Sequence, residues 1–177
     1  MTDDQSEIQQ SSRSQDQTSP AHDKHDQKGP GVKLPPPLVF IVMLVVAGVL
    51  QAIWPIGLSE SLLFRYLGVT LCVLAIVALI AIGLMFHRHK TSIKPWEPTS
   101  KVMSHGPFAY SRNPIYVGFC FIVIGIGLAQ NSLWLTFSFI PAAFIVFHTA
   151  IVREEKYLEK KFGEEYRRYK EKVRRWV

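Results

Sequence analysis

Residues 115–152 contain no Asp, Glu, Lys or Arg. At 38 residues this apolar run is nearly twice the ~20 residues that carry one helix across a bilayer. A single helix cannot use it all, and the polar Gln130, Asn131 and Ser132 near its middle predict two helices folded back on each other. Antiparallel arms return their outer ends, near Asn113 and Glu154, to one water interface. The first arm, about residues 114–130, is short for a crossing at ~1.5 Å rise per residue, which local thinning of the bilayer accommodates. Residues 38–58 and 66–86 are also free of charge, and each matches one crossing. The expected fold is therefore all-α. It is a polytopic membrane protein with about four transmembrane helices, the last two forming a helical hairpin.

The basic residues orient this arrangement. Of 20 Lys and Arg, four precede residue 38, five lie in 87–113, ten follow residue 152, and Arg65 stands alone on the other side. The positive-inside rule then puts both termini in the cytosol, and the expected location is a bacterial plasma membrane. The net charge of +6 reads as topology and attraction to anionic lipid, with no motif for nucleic acid beside it. Residues 1–34 are rich in Gln, Ser, Asp and Lys and read as a disordered cytosolic tail. They lack the pattern of a cleaved signal peptide, so the first helix is expected to be retained. Residues 35–86 form two N-terminal transmembrane helices. Residues 87–177 form the functional core: a cytosolic connector, the hairpin and an interfacial helix. Cys72 and Cys120 sit in separate apolar runs and read as small buried hydrophobes. No disulfide framework or metal-ligand spacing occurs, and His87 and His89 read as interfacial anchors.

The hairpin ends carry the chemistry. Asn113-Pro114 is a good helix start, since an amide can cap free backbone N–H groups and proline fits the first turn. The same helix start would suit a carboxylate or phosphate. Arg112 fits a snorkelling contact with headgroups, and Tyr110 and Tyr116 fit an aromatic belt. Glu154 and Glu155 read as acids at the C-terminal end of an apolar helix, where the dipole disfavours them, so they need compensation. Neighbouring cations or a positively charged ligand between the arms would supply it. Beyond them Phe162, Tyr166, Tyr169, Val173 and Trp176 recur at helical spacing among Lys and Arg. This predicts a basic amphipathic helix on the membrane surface, with Gly163 as the bend before it.

These residues resemble the isoprenylcysteine carboxyl methyltransferase and phospholipid methyltransferase superfamily over roughly residues 85–176. One motif runs from Gly106-Pro107 through Tyr110-Ser111-Arg112-Asn113-Pro114-Ile115-Tyr116-Val117-Gly118. The other is Glu154-Glu155 followed by Phe162-Gly163-Glu164-Glu165-Tyr166 and Tyr169. The resemblance implies S-adenosylmethionine as methyl donor, bound at the cytosolic face beneath the C-terminal helix. It assigns donor contacts to Ser100, Lys101, Val102, Met103, Phe108, Asn113, Pro114, Tyr116, Glu154 and Glu155. The donor's ammonium and sulfonium would meet Glu154 and aromatic faces, and its carboxylate the helix start.

The acceptor is expected to be a lipophilic small molecule or lipid with a carboxylate or amine head, met among the membrane lipids. Methyl transfer would be direct and would rest on positioning and water exclusion. For an acceptor that starts protonated, Tyr110, His105 and Glu155 are the candidate bases, and Arg112 is assigned to the acceptor head or a lipid phosphate. Relatives that methylate prenylcysteine carboxylates usually carry His where this chain has Asn113, and Arg where it has Ala150, which argues against that acceptor. The alternatives are an NADPH-dependent membrane reductase and a noncatalytic membrane scaffold.

Overall fold

The computed structural model describes residues 32, 34–88 and 102–177. Most of the expected disordered tail, and the donor contacts assigned to Ser100 and Lys101, lie outside the described residues. The described residues are all-helical: α1 (Pro36–Ile53), α2 (Leu62–Arg88), a 3-10 turn (Gly106–Ala109), α3 (Pro114–Ala129), α4 (Leu133–Phe137), α5 (Phe139–Val146), a π turn (Phe147–Ile151), α6 (Val152–Phe162) and α7 (Glu164–Lys172). Among the described residues three helical stretches are long and apolar enough to cross a membrane: Pro36–Ile53, Leu62–His87 and Leu133–Phe162. Helix α3, with 16 residues, is shorter. At ~1.5 Å per residue it spans roughly 24 Å of a ~30 Å hydrocarbon core.

Each apolar run becomes a helix because it has no charge to solvate and its ends carry turn chemistry. Pro35-Pro36 opens α1 and Asn113-Pro114 opens α3, with proline where a missing N–H costs nothing. Large side chains on α2, such as Leu74 at 62 % exposure, point away from the protein, as lipid-facing residues do. Helix α2 packs chiefly on α3, and α1 packs on α4 and α5. The core lies between them, where Phe40, Val123, Ala142, Val146 and Ile151 are buried.

Residues 130–132 turn α3 back into α4. Asn131 takes φ 50°, a left-handed conformation that Asn tolerates, and its Oδ1 accepts from Leu58 N and Ser59 N, both at 2.8 Å. Ser132 Oγ accepts from Leu135 N and donates to Gln51 Oε1 at 2.8 Å. Two loops far apart in sequence are thereby tied at one end of the molecule.

The close approach of α2 and α3 depends on glycine. A Cβ on Gly125 would lie 2.6 Å from Cys72 Sγ and 2.7 Å from the Gly68 carbonyl oxygen, so the helices would have to separate. Gly125→Val should lower stability by about 1–3 kcal/mol, the usual range for an overpacked core. Thermal unfolding in detergent, followed by circular dichroism, measures the loss.

Two expectations change. The helix does not end at Glu154-Glu155 but continues through α6 to Phe162, because Val152–Phe162 places polar side chains outward at helical spacing. The two acids therefore sit within a continuous helical rod, and a dipole penalty at a helix end does not apply to them. The amphipathic C-terminal helix is present, with Tyr166, Tyr169 and Val173 buried against Val102, Leu158 and Phe162. It ends at Lys172, however, and Trp176 reaches the main core from an extended tail rather than from the helical face. Gly163 makes the bend, with φ 53° and ψ −120°, a conformation open to glycine.

Candidate active site

Helix α3 starts, helix α6 passes and the chain ends at one place. Ser111 and Arg174 form an isolated parallel bridge, and Arg112 N donates to the Arg174 carbonyl at 2.9 Å. Asn113 is the residue before α3, but its side chain makes no capping hydrogen bond. Its Nδ2 donates instead to the Arg175 carbonyl at 2.9 Å, and its backbone N–H is taken by Ser111 Oγ at 3.1 Å. A carbonyl can only accept, so the amide nitrogen must face Arg175 and the Asn113 Oδ1 is left as an acceptor. The expected side-chain cap is thus replaced by an anchor to the C-terminal tail.

The neighbouring acids have different partners. Tyr116 OH donates to Glu154 Oε1 at 2.5 Å, joining the first turn of α3 to α6. Glu155 is buried, 7 % exposed. Arg175 grips it with two hydrogen bonds, Nε to Oε1 at 2.9 Å and Nη2 to Oε2 at 3.0 Å, the bidentate geometry of a strong ion pair. Arg112 Nη1 lies 3.1 Å from the same Oε1. The hydrogen bond to Glu155 raises the Arg175 pKa despite opposing burial, and its guanidinium stands 5.1 Å over the Phe147 ring. One carboxylate thus serves two guanidiniums. Arg112 Nε and Nη1 are buried without a hydrogen-bond partner, since the Nη1 approach to Glu155 is an ion pair without hydrogen-bond alignment.

The remaining site residues form the walls. Pro114 is buried at the first position of α3. Phe108 meets Phe86 edge to face at 5.5 Å, and its carbonyl accepts from Tyr169 OH at 2.8 Å. Met103 packs with Ile82 and Phe86, and Val102 packs under α7. Burial first, then Glu155, pushes the Tyr166 pKa up to about 12, while Arg112 opposes the shift. Burial raises Tyr169 as well. Both phenols therefore stay protonated at neutral pH, and Tyr169 OH acts as a donor to the Phe108 carbonyl.

Of the three candidate bases only Glu155 lies within this cluster. Tyr110 is 82 % exposed. Glu155 is engaged by Arg175 and Arg112, so taking a proton would break its ion pairs. His105 is on the exposed connector beside Ser104 Oγ. The structure brings Arg112, Asn113, Tyr116, Glu154 and Glu155 together and adds Arg175, which the sequence reading had counted only among basic tail residues. Its 20-residue separation from Glu155 has no helical or strand periodicity that could have marked it.

A model of the phospholipid methyltransferase family matches residues 63–165, more than half of the chain and the whole stretch from α2 past Glu154 and Glu155. An uncharacterized protein of Haemophilus influenzae is 53 % identical over 51 residues, covering 26 % of this chain and 81 % of that protein. The chain belongs to the phospholipid methyltransferase family, which makes it a membrane methyltransferase.

Proposed function

We propose that the protein transfers a methyl group from S-adenosylmethionine to a lipophilic acceptor with an amine or carboxylate head, at the cytosolic face of a bacterial plasma membrane. The observation that carries this reading is the pairing of Glu154 with Tyr116 beside the start of α3. The donor chemistry fits the residues present. Glu154 and the free Oδ1 of Asn113 suit cationic and N–H groups, Phe108 suits the faces of a sulfonium or an aromatic base, and the Arg112 Nε–H, which has no hydrogen-bond partner, suits an anion. When bound, S-adenosylmethionine supplies an activated methyl group on a sulfonium.

The chain's own part is placement. Glu154 and Tyr116 would hold the charged end of the donor, and Val102 and Met103, packed against α7 and Phe86, would supply apolar surface beside it. Residues 87–177 carry this core, and residues 35–86 supply two helices beside it. Both termini face the cytosol in this reading, which is supported by the clustering of Lys and Arg on one side of the spans. In a chain with Cys72 and Cys120 replaced by serine, Glu60→Cys should label from outside intact cells and Ser104→Cys should not. Labelling of Ser104→Cys by an impermeant reagent would overturn the orientation.

Ala150 is fully buried in the π turn among Tyr116, Val146 and Ile151. A guanidinium there would have to displace the core, so no carboxylate contact arises from that position. Radiolabelled methyl transfer to a panel of amino-phospholipids, prenylcysteine acids and membrane extracts tests the activity. The amine-bearing lipids should be labelled and the prenylcysteine acids poorly labelled. Efficient turnover of prenylcysteine acid would contradict the acceptor assignment.

A further inference from the structure

Arg174 and Arg175, near the C-terminal end, make more polar contacts with the candidate site than a loose end requires. The Arg174 carbonyl takes the Arg112 N–H, the Arg175 carbonyl takes the Asn113 amide at 2.9 Å and lies 3.5 Å from Ser111 Oγ, and the Arg175 side chain grips Glu155 through both carboxylate oxygens. Phe147 lies under the guanidinium, and Trp176 packs against the main core. Arg175 also lies outside the family-matched residues 63–165. The tail therefore joins both motifs of the site, the segment before α3 and the acidic pair on α6.

We infer that Arg175 is a positioning residue for the methyl donor: its guanidinium holds Glu155 and its carbonyl orients Asn113, so that Glu154 and the Asn113 Oδ1 are left facing the ligand. This rests on the proposed methyltransferase function, with S-adenosylmethionine as donor. Glu154 and Glu155 are adjacent on one helix, about 100° apart around its axis, and either could answer a cation in the site. Arg175 and Arg112 engage Glu155, which leaves the Tyr116-bonded Glu154 as the acid for the donor. The Asn113 amide has the same ambiguity, since either end could face the site. The Arg175 carbonyl resolves it, because it accepts only from nitrogen.

The full-length protein in detergent carries the test, with Arg175→Met chosen because it keeps the backbone carbonyl and an apolar stem over Phe147. Titration with S-adenosylmethionine should show about tenfold weaker binding in Arg175→Met, a coupling of the size seen between groups in direct contact. The same change made in Glu155→Gln should cost less than about twofold, because the partner charge is already gone. Arg175→Lys, which keeps the charge but loses the two-pronged geometry, should fall between wild type and Arg175→Met. Lys172→Ala, an exposed cation at the end of α7, should bind as wild type does. A lowered melting temperature with unchanged donor affinity in Arg175→Met would overturn the inference, as would an equal cost in the presence and absence of Glu155→Gln.

Hydrogen exchange without ligand supplies an arm that does not depend on donor binding. The amide of Arg112, protected by the Arg174 carbonyl, should exchange about tenfold faster in Arg175→Met and unchanged in Lys172→Ala. Unchanged protection at Arg112 in Arg175→Met would show that the guanidinium does not hold the tail, and would overturn the inference. Failure of the wild type to bind S-adenosylmethionine would overturn the proposed function and, with it, the donor-positioning role of Arg175, while the exchange result would still report whether the guanidinium holds the tail.

Discussion

Glu155→Ala should destabilise the folded protein by about 3–5 kcal/mol, the cost typical of removing one partner from a buried ion pair. Glu155 is the single carboxylate between Arg112 and Arg175, and both its side chain and that of Arg112 are 10 % exposed. Without it, the buried Arg112 guanidinium loses its counter-charge and stands near that of Arg175, which is 35 % exposed. The C-terminal tail also loses its main side-chain anchor. Denaturant titration in detergent micelles measures the difference, and a loss under about 1 kcal/mol would place the pair in the class of weak, solvent-screened contacts.

Glu154→Gln should act in the opposite sense, leaving stability nearly intact and weakening S-adenosylmethionine by about 1.5–3 kcal/mol, or roughly ten- to a hundredfold. The amide is close in shape to the carboxylate, and its carbonyl oxygen can still accept from Tyr116 OH. What is lost is the negative charge offered to a cationic ligand. Donor affinity by calorimetry and melting temperature by circular dichroism, read on the same samples, separate the two acids. Equal effects of Glu154→Gln and Glu155→Gln on donor affinity would argue against divided roles.

That division could not be read from the sequence, which shows only two adjacent acids. Much of the scaffold could. The apolar run at 115–152 breaks where Gln130, Asn131 and Ser132 interrupt it, because polar groups there can tie the loop to Leu58, Ser59 and Gln51. Asn113-Pro114 opens a helix, and Gly163 turns the chain under α7, since both are local conformational preferences that neighbouring structure does not have to create. The aromatic residues Tyr166 and Tyr169 share a buried face because their spacing follows the helical repeat.

What the sequence concealed depends on contacts between distant segments. Helix α6 continues past Glu154 because packing against α7 and solvation of its polar face replace an apolar environment, so the end of hydrophobicity is not the end of the helix. Asn113 is in a capping position yet gives its amide to a carbonyl 62 residues away. Tyr110 belongs to the same motif as Asn113 and Tyr116, but the turn after the 3-10 segment leaves it on the surface. Arg175 becomes part of the site only once α7 has brought the chain back to Ser111.

The central claim, that this site holds a methyl donor, is tested most directly by isothermal titration of the purified full-length protein with S-adenosylmethionine and, separately, with NADPH. Saturable binding of S-adenosylmethionine, with no heat from NADPH, is the predicted result. Saturable binding of NADPH, with none of S-adenosylmethionine, would contradict it.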